Sequence, residues 1–258
     1  MSPRFFSRPR AGFCAAVSFC TRWPVGHKAR TGPLPKGAVA DGFAWFPCVG
    51  ALTGLLAAIV ASGLMALGMS VPLAILLALS AHIVMTGGLH EDGLADTLDG
   101  MSARGARAIE IMRDSHLGTY GALGLMLALA LRALALIEVA TAGAGFLVVA
   151  WMLAGGLSRL AMVTTMAVSA PATQDGVAAA MPEVRPPILA LAAISVLLGA
   201  WLGTSLAIAV SLTAGAMGLG WLVAQGLKTW LGGMTGDTLG ACQQAAEILA
   251  LLACLRLL

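Results

Sequence analysis

Four carboxylates within nine residues are the side chains of this sequence best suited to chemistry: Glu91, Asp92, Asp96 and Asp99. At about 100° per residue of an α-helix, the three aspartates project within roughly 60° of one another. Acids this close repel each other unless a divalent cation lies between them. Mg²⁺ typically binds one or two carboxylates together with the phosphate oxygens of a substrate. The segment 87–100 therefore predicts a magnesium and pyrophosphate site that draws its ligands from these four residues.

Arginines follow the acidic segment closely. Arg104, Arg107 and Arg113 lie within the next fourteen residues, ahead of Asp114 and His116. A guanidinium group offers a planar fork of donors that fits phosphate oxygens. The segment could thus hold both a metal and the anion that the metal neutralises. For Arg104 and Arg107, a solvated loop with internal salt bridges is an equally open interpretation.

A second polar segment, 232–240, is rich in glycine and precedes the last apolar stretch. Glycines allow backbone N–H groups to approach an anion, and the start of the following helix favours negative charge. Asp237 is a candidate for a further metal ligand, and Thr235 and Gly236 are candidates for anion contacts. The alternative is an ordinary loop.

The composition indicates an integral membrane protein. Hydrophobic residues make up 59% of the 258 residues and charged residues 10%, and the mean hydropathy is +0.91. Without alternating polarity or β-branched runs, the apolar stretches predict helices rather than a barrel. We predict an all-α bundle, forming one domain over residues 1–258, with about seven spans of near 20 residues. These spans run approximately over 46–69, 71–89, 120–139, 145–169, 187–203, 205–226 and 239–257.

The basic residues indicate how the chain is threaded. The N-terminal segment and the loops 90–119, 170–186 and 227–238 hold 12 of the 15 Lys and Arg residues, whereas the turns between them are uncharged. The positive-inside rule places this charged side in the cytoplasm. The apolar run 11–20 follows a basic start but has no convincing cleavage site, so we predict a retained interfacial helix.

A few charged residues fall within predicted spans. Arg132, Glu138, Arg159 and Glu247 should face the bundle interior or a wet cavity, because an unpaired charge in lipid costs several kcal/mol. Arg159 lies in the cytoplasmic half of its span and could reach a phosphate. His90 directly precedes the four acidic residues in the sequence. A functional role and a packing role are equally open for it.

Several segments together resemble one known family, the cobalamin synthases, or adenosylcobinamide-GDP ribazoletransferases. The matching segments cover nearly the full chain in the expected order. They are 19–25, 46–50, 87–100, 110–121, Ser158-Arg159 and 232–240. The long acidic motif and the run Met112-Arg113-Asp114-Ser115 that follows are the most specific of them.

The resemblance implies a reaction and the residues that carry it. α-Ribazole or its 5′-phosphate would displace GMP from adenosylcobinamide-GDP, with Mg²⁺ required, in a bacterial inner membrane. Asp92, Asp96, Asp99 and Asp237 would hold the metal. Arg113 and Arg159 would hold phosphate oxygens, while either Asp114 or His90 would accept the hydroxyl proton.

Two other classes of membrane protein share part of this pattern. The signature of the CDP-alcohol phosphotransferases of lipid synthesis also begins with Asp-Gly, but the Gly-x-x-x-Asp-x-x-x-Asp expected downstream is missing. An ion-coupled transporter would place its carboxylates near the bilayer midplane, whereas these lie at a span end. We expect no nucleic acid partner, and a homo-oligomer stays open.

Overall fold

The computed structural model describes residues 9–23, 25 and 36–257, and within these ranges the chain forms helices and no β-strand. A 3₁₀ turn, Phe43–Trp45, precedes the third α-helix, and another, Leu255–Leu257, ends the described chain. The α-helices are α1 (Pro9–Cys20), α2 (Lys36–Gly42), α3 (Phe46–Ala66), α4 (Val71–Thr86), α5 (Leu89–Gly100), α6 (Gly105–Met112), α7 (Thr119–Thr141), α8 (Ala144–Val168), α9 (Val177–Ala180), α10 (Pro186–Gly203), α11 (Leu206–Trp230) and α12 (Gly236–Cys254).

Five helical segments are long and apolar enough to cross a membrane: 37–66, which includes α3, and then α7, α8, α10 and α11. A sixth is counted if α4 and α5, which are bent by 87° relative to each other, form one span. The sequence predicted about seven, and the predicted spans 71–89 and 239–257 correspond to α4 and α12. Gln243, Gln244 and Glu247 make α12 less apolar, and all three are buried. The polytopic helical fold is thus confirmed, with five or six candidate spans.

The N-terminal helix predicted over 11–20 is confirmed as α1, which packs against α2 and α3. Its position at the membrane surface stays a prediction, as does the single domain. Most of the basic residues near the N-terminus lie outside the described residues.

Two glycines make the bend between α4 and α5. Gly87 has a φ angle of 75° and Gly88 one of 68°, in the left-handed region that residues with a side chain disfavour. Their N–H groups donate to the carbonyls of Val84 and Ile83, which closes the C-terminal turn of α4. The chain then turns sharply, so α5 carries its acidic residues away from the direction of α4.

Helix α8 is the most enclosed element of the bundle. Every side chain from Leu157 to Met166 is buried, with α3, α11 and α12 packed around it. Gly50 of α3 and Gly155 of α8 lie back to back, since a Cβ atom on either would run into the carbonyl oxygen of the other. Small residues at such a crossing let two helix backbones approach closely.

We expect Gly155→Ala to lower the free energy of unfolding in detergent micelles by about 1–3 kcal/mol, because its methyl group would force α3 and α8 apart. Gly145→Ala is the matched control in the same helix, where an added Cβ meets nothing within 4 Å. That control should be neutral or slightly stabilising. Equal losses of stability in the two variants would contradict the close crossing.

Candidate active site

The acidic helix α5 crosses the start of α12 at two glycines. A Cβ atom added to Gly93 would lie 2.7 Å from the carbonyl oxygen of Asp237, and one added to Gly240 would lie 3.2 Å from Cα of His90. The first distance is too short for a real side chain, so this crossing requires glycine. The two polar segments, about 140 residues apart in the sequence, therefore meet in the fold.

A cavity of about 160 Å³ opens beside this crossing. Its polar lining consists of His90 and Asp92 from α5 and Asp237 from α12, together with Gly236 and Gly240. The rest of its lining is apolar and comes from α1, α5, α8, α9, α12 and the residue after α9: Phe19, Leu89, Met162, Val177, Leu239 and Met181. We call this space the acidic cleft.

Basic side chains do not neutralise the carboxylates at the acidic cleft. In the described part of the chain, Asp92, Asp96 and Asp237 form no ion pair. Partial burial and the neighbouring carboxylates of Asp92, Asp237 and Asp99 raise the pKa of Asp96 to about 6. A cation placed here would relieve that repulsion.

The carboxylates do not form a metal site without help from other ligands. Among residues 9–23, 25 and 36–257, no group of three His, Cys, Asp or Glu side chains is close enough to hold a metal ion. Mg²⁺ commonly keeps several waters and uses one or two carboxylates plus phosphate oxygens. The donors present fit that mode, in which a phosphate-bearing ligand completes the coordination.

Asp99, predicted as a metal ligand, is instead engaged at the start of α7. Its Oδ2 accepts a hydrogen bond from the N–H of Gly118 at 2.7 Å, and its Oδ1 accepts one from the N–H of Gly121 at 2.8 Å. Gly118 is the N-cap residue of α7 and has no side chain with which to cap it. Asp99 supplies the missing cap from 19 residues away, and both of its oxygens serve that purpose.

Glu91, also predicted as a metal ligand, points into the bundle. Its Oε1 accepts hydrogen bonds from Arg132 at 2.8 Å and from Gln244 at 3.0 Å. Arg132, which is 1% exposed, also donates to Glu247 at 2.8 Å. The structure thus gives Glu91 an ion-pairing role that ties α5 to α7 and α12. The fourth charge expected to face inwards, Glu138, is exposed.

Arg159 belongs to the same interior network. Its Nη1 donates to Glu247 at 3.1 Å and to Ser158 at 3.1 Å, and Gln243 donates to the same Ser158 hydroxyl at 3.2 Å. The guanidinium is 1% exposed. It lies inside the bundle and does not line the acidic cleft, where the sequence predicted a phosphate contact for it.

The predicted site residues that follow α5 are exposed: Arg104, Arg113 and Asp114. Arg113 donates to Asp175 at 2.7 Å, and its charge also interacts with that of Asp237. Asp114 accepts hydrogen bonds from the backbone N–H of His116 at 3.1 Å and from its ring at 2.6 Å. Arg104 is the N-cap residue of α6. Only Arg113 among them is electrostatically coupled to the acidic cleft.

His90 is buried, and its Nε2 has no hydrogen-bond partner among the described residues. Buried polar atoms without a partner are uncommon, so this nitrogen is available to a ligand. Because His90 also lines the acidic cleft, it is the predicted residue best placed to exchange a proton with a bound hydroxyl.

Thr235 fixes the start of α12. Its hydroxyl accepts from the N–H of Thr238 at 3.2 Å, and the Thr238 hydroxyl accepts from the N–H of Thr235 at 2.9 Å. This reciprocal capping box holds Gly236 and Asp237 in the first turn, where the helix dipole favours negative charge. Gly236 lines the acidic cleft, as its predicted anion contact requires.

The segment between α8 and α10 covers one side of the acidic cleft. Met234 and the stretch Ala170–Ala172 exchange two backbone hydrogen bonds of 2.8 Å, which join this segment to the start of α12. Val177 and Met181 then line the cleft. Sequence reasoning missed these two residues and Phe19, because apolar side chains carry no distinguishing signal in so apolar a chain.

Comparison with known proteins identifies relatives along almost the whole chain. Residues 12–255 match the family model described as cobalamin-5-phosphate synthase. The chain is 38% identical over 241 residues to the adenosylcobinamide-GDP ribazoletransferase of Bradyrhizobium diazoefficiens, covering 92% of this chain and 90% of the relative. For the proteins of the same name from Azorhizobium caulinodans and Shewanella amazonensis, the identities are 37% and 35%, with at least 94% of each chain covered. No solved structure matches.

Asp99→Ala should lower stability in detergent at about pH 7.5 with a chelator present, whereas Asp96→Ala should not. Loss of the cap of α7 should cost about 1–2 kcal/mol for Asp99→Ala. The folded-state pKa of Asp96 lies above its ordinary value, so ionisation of this group destabilises the fold as the pH rises through about 6. Asp96→Ala should therefore leave thermal stability unchanged or raised. A matching loss in both variants would contradict the separate role of Asp99.

Proposed function

The chain belongs to the cobalamin-5-phosphate synthase family, and from that premise we propose that the acidic cleft between α5 and α12 is its active site. The protein is a transferase of cobalamin nucleotide-loop assembly. It joins the cobinamide phosphate of adenosylcobinamide-GDP to α-ribazole or its 5′-phosphate and releases GMP. The observation that carries the assignment of the site is the meeting of Asp92, Asp96 and Asp237 from two distant segments, with no ion pair to any described residue.

The reaction defines what the site must do. A ribose hydroxyl oxygen forms a bond to the phosphorus on the cobinamide side of the pyrophosphate, while the bond from that phosphorus to the bridging oxygen breaks and GMP leaves. The hydroxyl proton must pass to a base. Catalysis of such a step depends on alignment of the reacting groups and on stabilisation of the charge that develops on phosphate oxygens.

The carboxylates would supply that stabilisation through a cation. We propose that one or two carboxylates from the set Asp92, Asp96 and Asp237, together with phosphate oxygens of the substrate, would hold Mg²⁺, which when bound would neutralise charge on the pyrophosphate. Asp99 is not in this set, because both of its oxygens accept from N–H groups at the start of α7. Glu91 is not in it either, because its Oε1 accepts from Arg132 and Gln244 inside the bundle and Glu91 does not line the acidic cleft. The first turn of α12 contributes backbone donors to the same anion.

His90 and Arg113 would act on the reacting groups. We assign proton acceptance to His90, which lines the acidic cleft and whose Nε2 has no hydrogen-bond partner among the described residues. Asp114, by contrast, is exposed and hydrogen-bonded to His116. Arg113 would exchange Asp175 for a phosphate oxygen of the substrate. Arg159 is left out of the site because it is committed to Glu247.

The acidic cleft is proposed to face the cytoplasm from the inner membrane of a bacterium. Residues of the loops 90–119, 170–186 and 227–238 line the cleft, and the positive-inside rule assigns these basic loops to the cytoplasmic side. The relatives are bacterial. Neither a lipid phosphotransferase nor a transporter is favoured, because the relatives are named as ribazoletransferases.

Asp96→Ala and Asp237→Ala should each lower GMP release from adenosylcobinamide-GDP by roughly 100-fold or more, the scale of losing one charge-stabilising group. The double variant should be little worse than either single variant, since residues that act as a unit are strongly non-additive. Purified protein is assayed for GMP with and without Mg²⁺. Glu110→Ala, which removes an exposed carboxylate paired with Arg107, is the control and should retain activity. Substantial turnover by Asp237→Ala would make the segment 232–240 a structural turn.

Cysteine labelling tests the orientation. Ser102→Cys and Thr229→Cys, both at exposed positions, should resist an impermeant thiol reagent on intact cells. Ala142→Cys, in the uncharged turn between α7 and α8, should react. Labelling of only one of the first two would place the loops on opposite sides of the membrane and contradict a single active site. The background lacks the native cysteines, which are Cys14, Cys20, Cys48, Cys242 and Cys254.

A further inference from the structure

We propose that an apolar cavity beside the acidic cleft binds the aromatic base of the ribazole substrate, an inference that rests on the proposed function. The cavity has a volume of about 270 Å³ and lies among α1, α2, α3 and α9. Within the described part of the chain, no polar side chain lines it. Its lining consists of Ala15, Phe19, Val39, Phe43, Phe46, Val177, Ala180 and Met181. We call it the aromatic compartment.

The aromatic compartment adjoins the acidic cleft directly. Phe19, Val177 and Met181 line both spaces. One end of the combined site is therefore apolar, and the other end carries Asp92 and Asp237. A nucleoside has the same division, with a flat base joined to a sugar that bears hydroxyl groups. With the base in the compartment, the sugar would lie towards the carboxylates and His90.

The phenylalanines form a preorganised aromatic wall. The rings of Phe19 and Phe46 are stacked with centroids 5.3 Å apart and planes at 15°. Phe43 meets Phe46 edge-on, with centroids 5.3 Å apart and planes at 84°. Aromatic rings favour both arrangements, so a third planar ring can extend either contact. Met181 adds a polarisable thioether that packs well against ring edges.

The chemistry of the lining distinguishes among the parts of the two substrates. A guanine or adenine ring carries several hydrogen-bonding groups on its edge, and burying them without partners would cost free energy. A benzimidazole-type base exposes mostly C–H groups on that edge. Small-molecule sites usually measure about 300–1,000 Å³, so the compartment suits one ring system and not a corrin macrocycle with its amide side chains. We therefore assign it to a benzimidazole-type base.

Filling the compartment tests the assignment. Ala180→Trp and Val39→Trp place an indole on two of its walls without altering the carboxylates. Each should raise the KM for α-ribazole roughly tenfold or more, the scale of steric discrimination in an apolar pocket, while the KM for adenosylcobinamide-GDP changes less than about twofold. Ala216→Trp is the matched control, because Ala216 lines a different apolar cavity, between α8, α11 and α12. The control should change neither KM.

Equilibrium dialysis of α-ribazole against the detergent-solubilised protein gives a reading that does not depend on turnover. The wild type and Ala216→Trp should bind α-ribazole, and both compartment variants should bind it at least tenfold more weakly. A rise in the KM for adenosylcobinamide-GDP alone would overturn the assignment in favour of the corrinoid or guanosine part. Unchanged values throughout would make the compartment a lipid site.

The outcomes separate this inference from the proposed function. If the wild type binds α-ribazole but releases no GMP from adenosylcobinamide-GDP, the proposed function fails. The dialysis of wild type and variants then still shows whether the compartment binds α-ribazole. If GMP release is normal in every variant at low α-ribazole, the function stands and the base assignment fails.

Discussion

Burying two arginines inside an apolar bundle is the constraint on which the rest of the structure depends. A buried guanidinium is tolerated only when an opposite charge and further hydrogen bonds meet it. Glu247 of α12 accepts from both Arg132 of α7 and Arg159 of α8, and Glu91 of α5 completes the set. These ion pairs fix the positions of α5, α7, α8 and α12 relative to one another. The position of α5, and with it the place of the acidic cleft, therefore depends on this network.

The four acids of α5 have three different tasks because the helix meets different neighbours around its circumference. Glu91 faces the buried arginines, Asp92 lines the acidic cleft with the charge of Asp96 interacting with it, and Asp99 reaches the first turn of α7. A single short helix thus joins the interior ion network, the cleft and a neighbouring helix end. This sharing of tasks explains why so many charges are concentrated in so few residues.

The sequence was sufficient for the class of fold, for the polar segments that form the cleft and for the reaction. It could not separate the roles of the acids, because those roles depend on partners far along the chain. Glu91 and Asp99 have the same chemistry as Asp96, and only the positions of Arg132 and Gly118 distinguish them. Helix α12 was predicted as an apolar span, whereas its polar residues complete the interior network. The walls formed by Phe19, Val177 and Met181 could not be predicted, because apolar residues are everywhere in this chain.

Glu247 belongs to α12, which follows α7 and α8 in the chain, and that order bears on biosynthesis. A ribosome completes α7 and α8 well before α12, so Arg132 and Arg159 enter the bilayer before their shared counter-ion exists. Arg132 can already pair with Glu91, but among the described residues Arg159 has just the neighbouring Ser158 hydroxyl until α12 arrives. The nascent protein therefore carries an uncompensated charge until Glu247 of α12 pairs with it. A transcript cut short before α12 would yield a product that retains this charge, a feature by which membrane quality control could distinguish incomplete chains from finished ones.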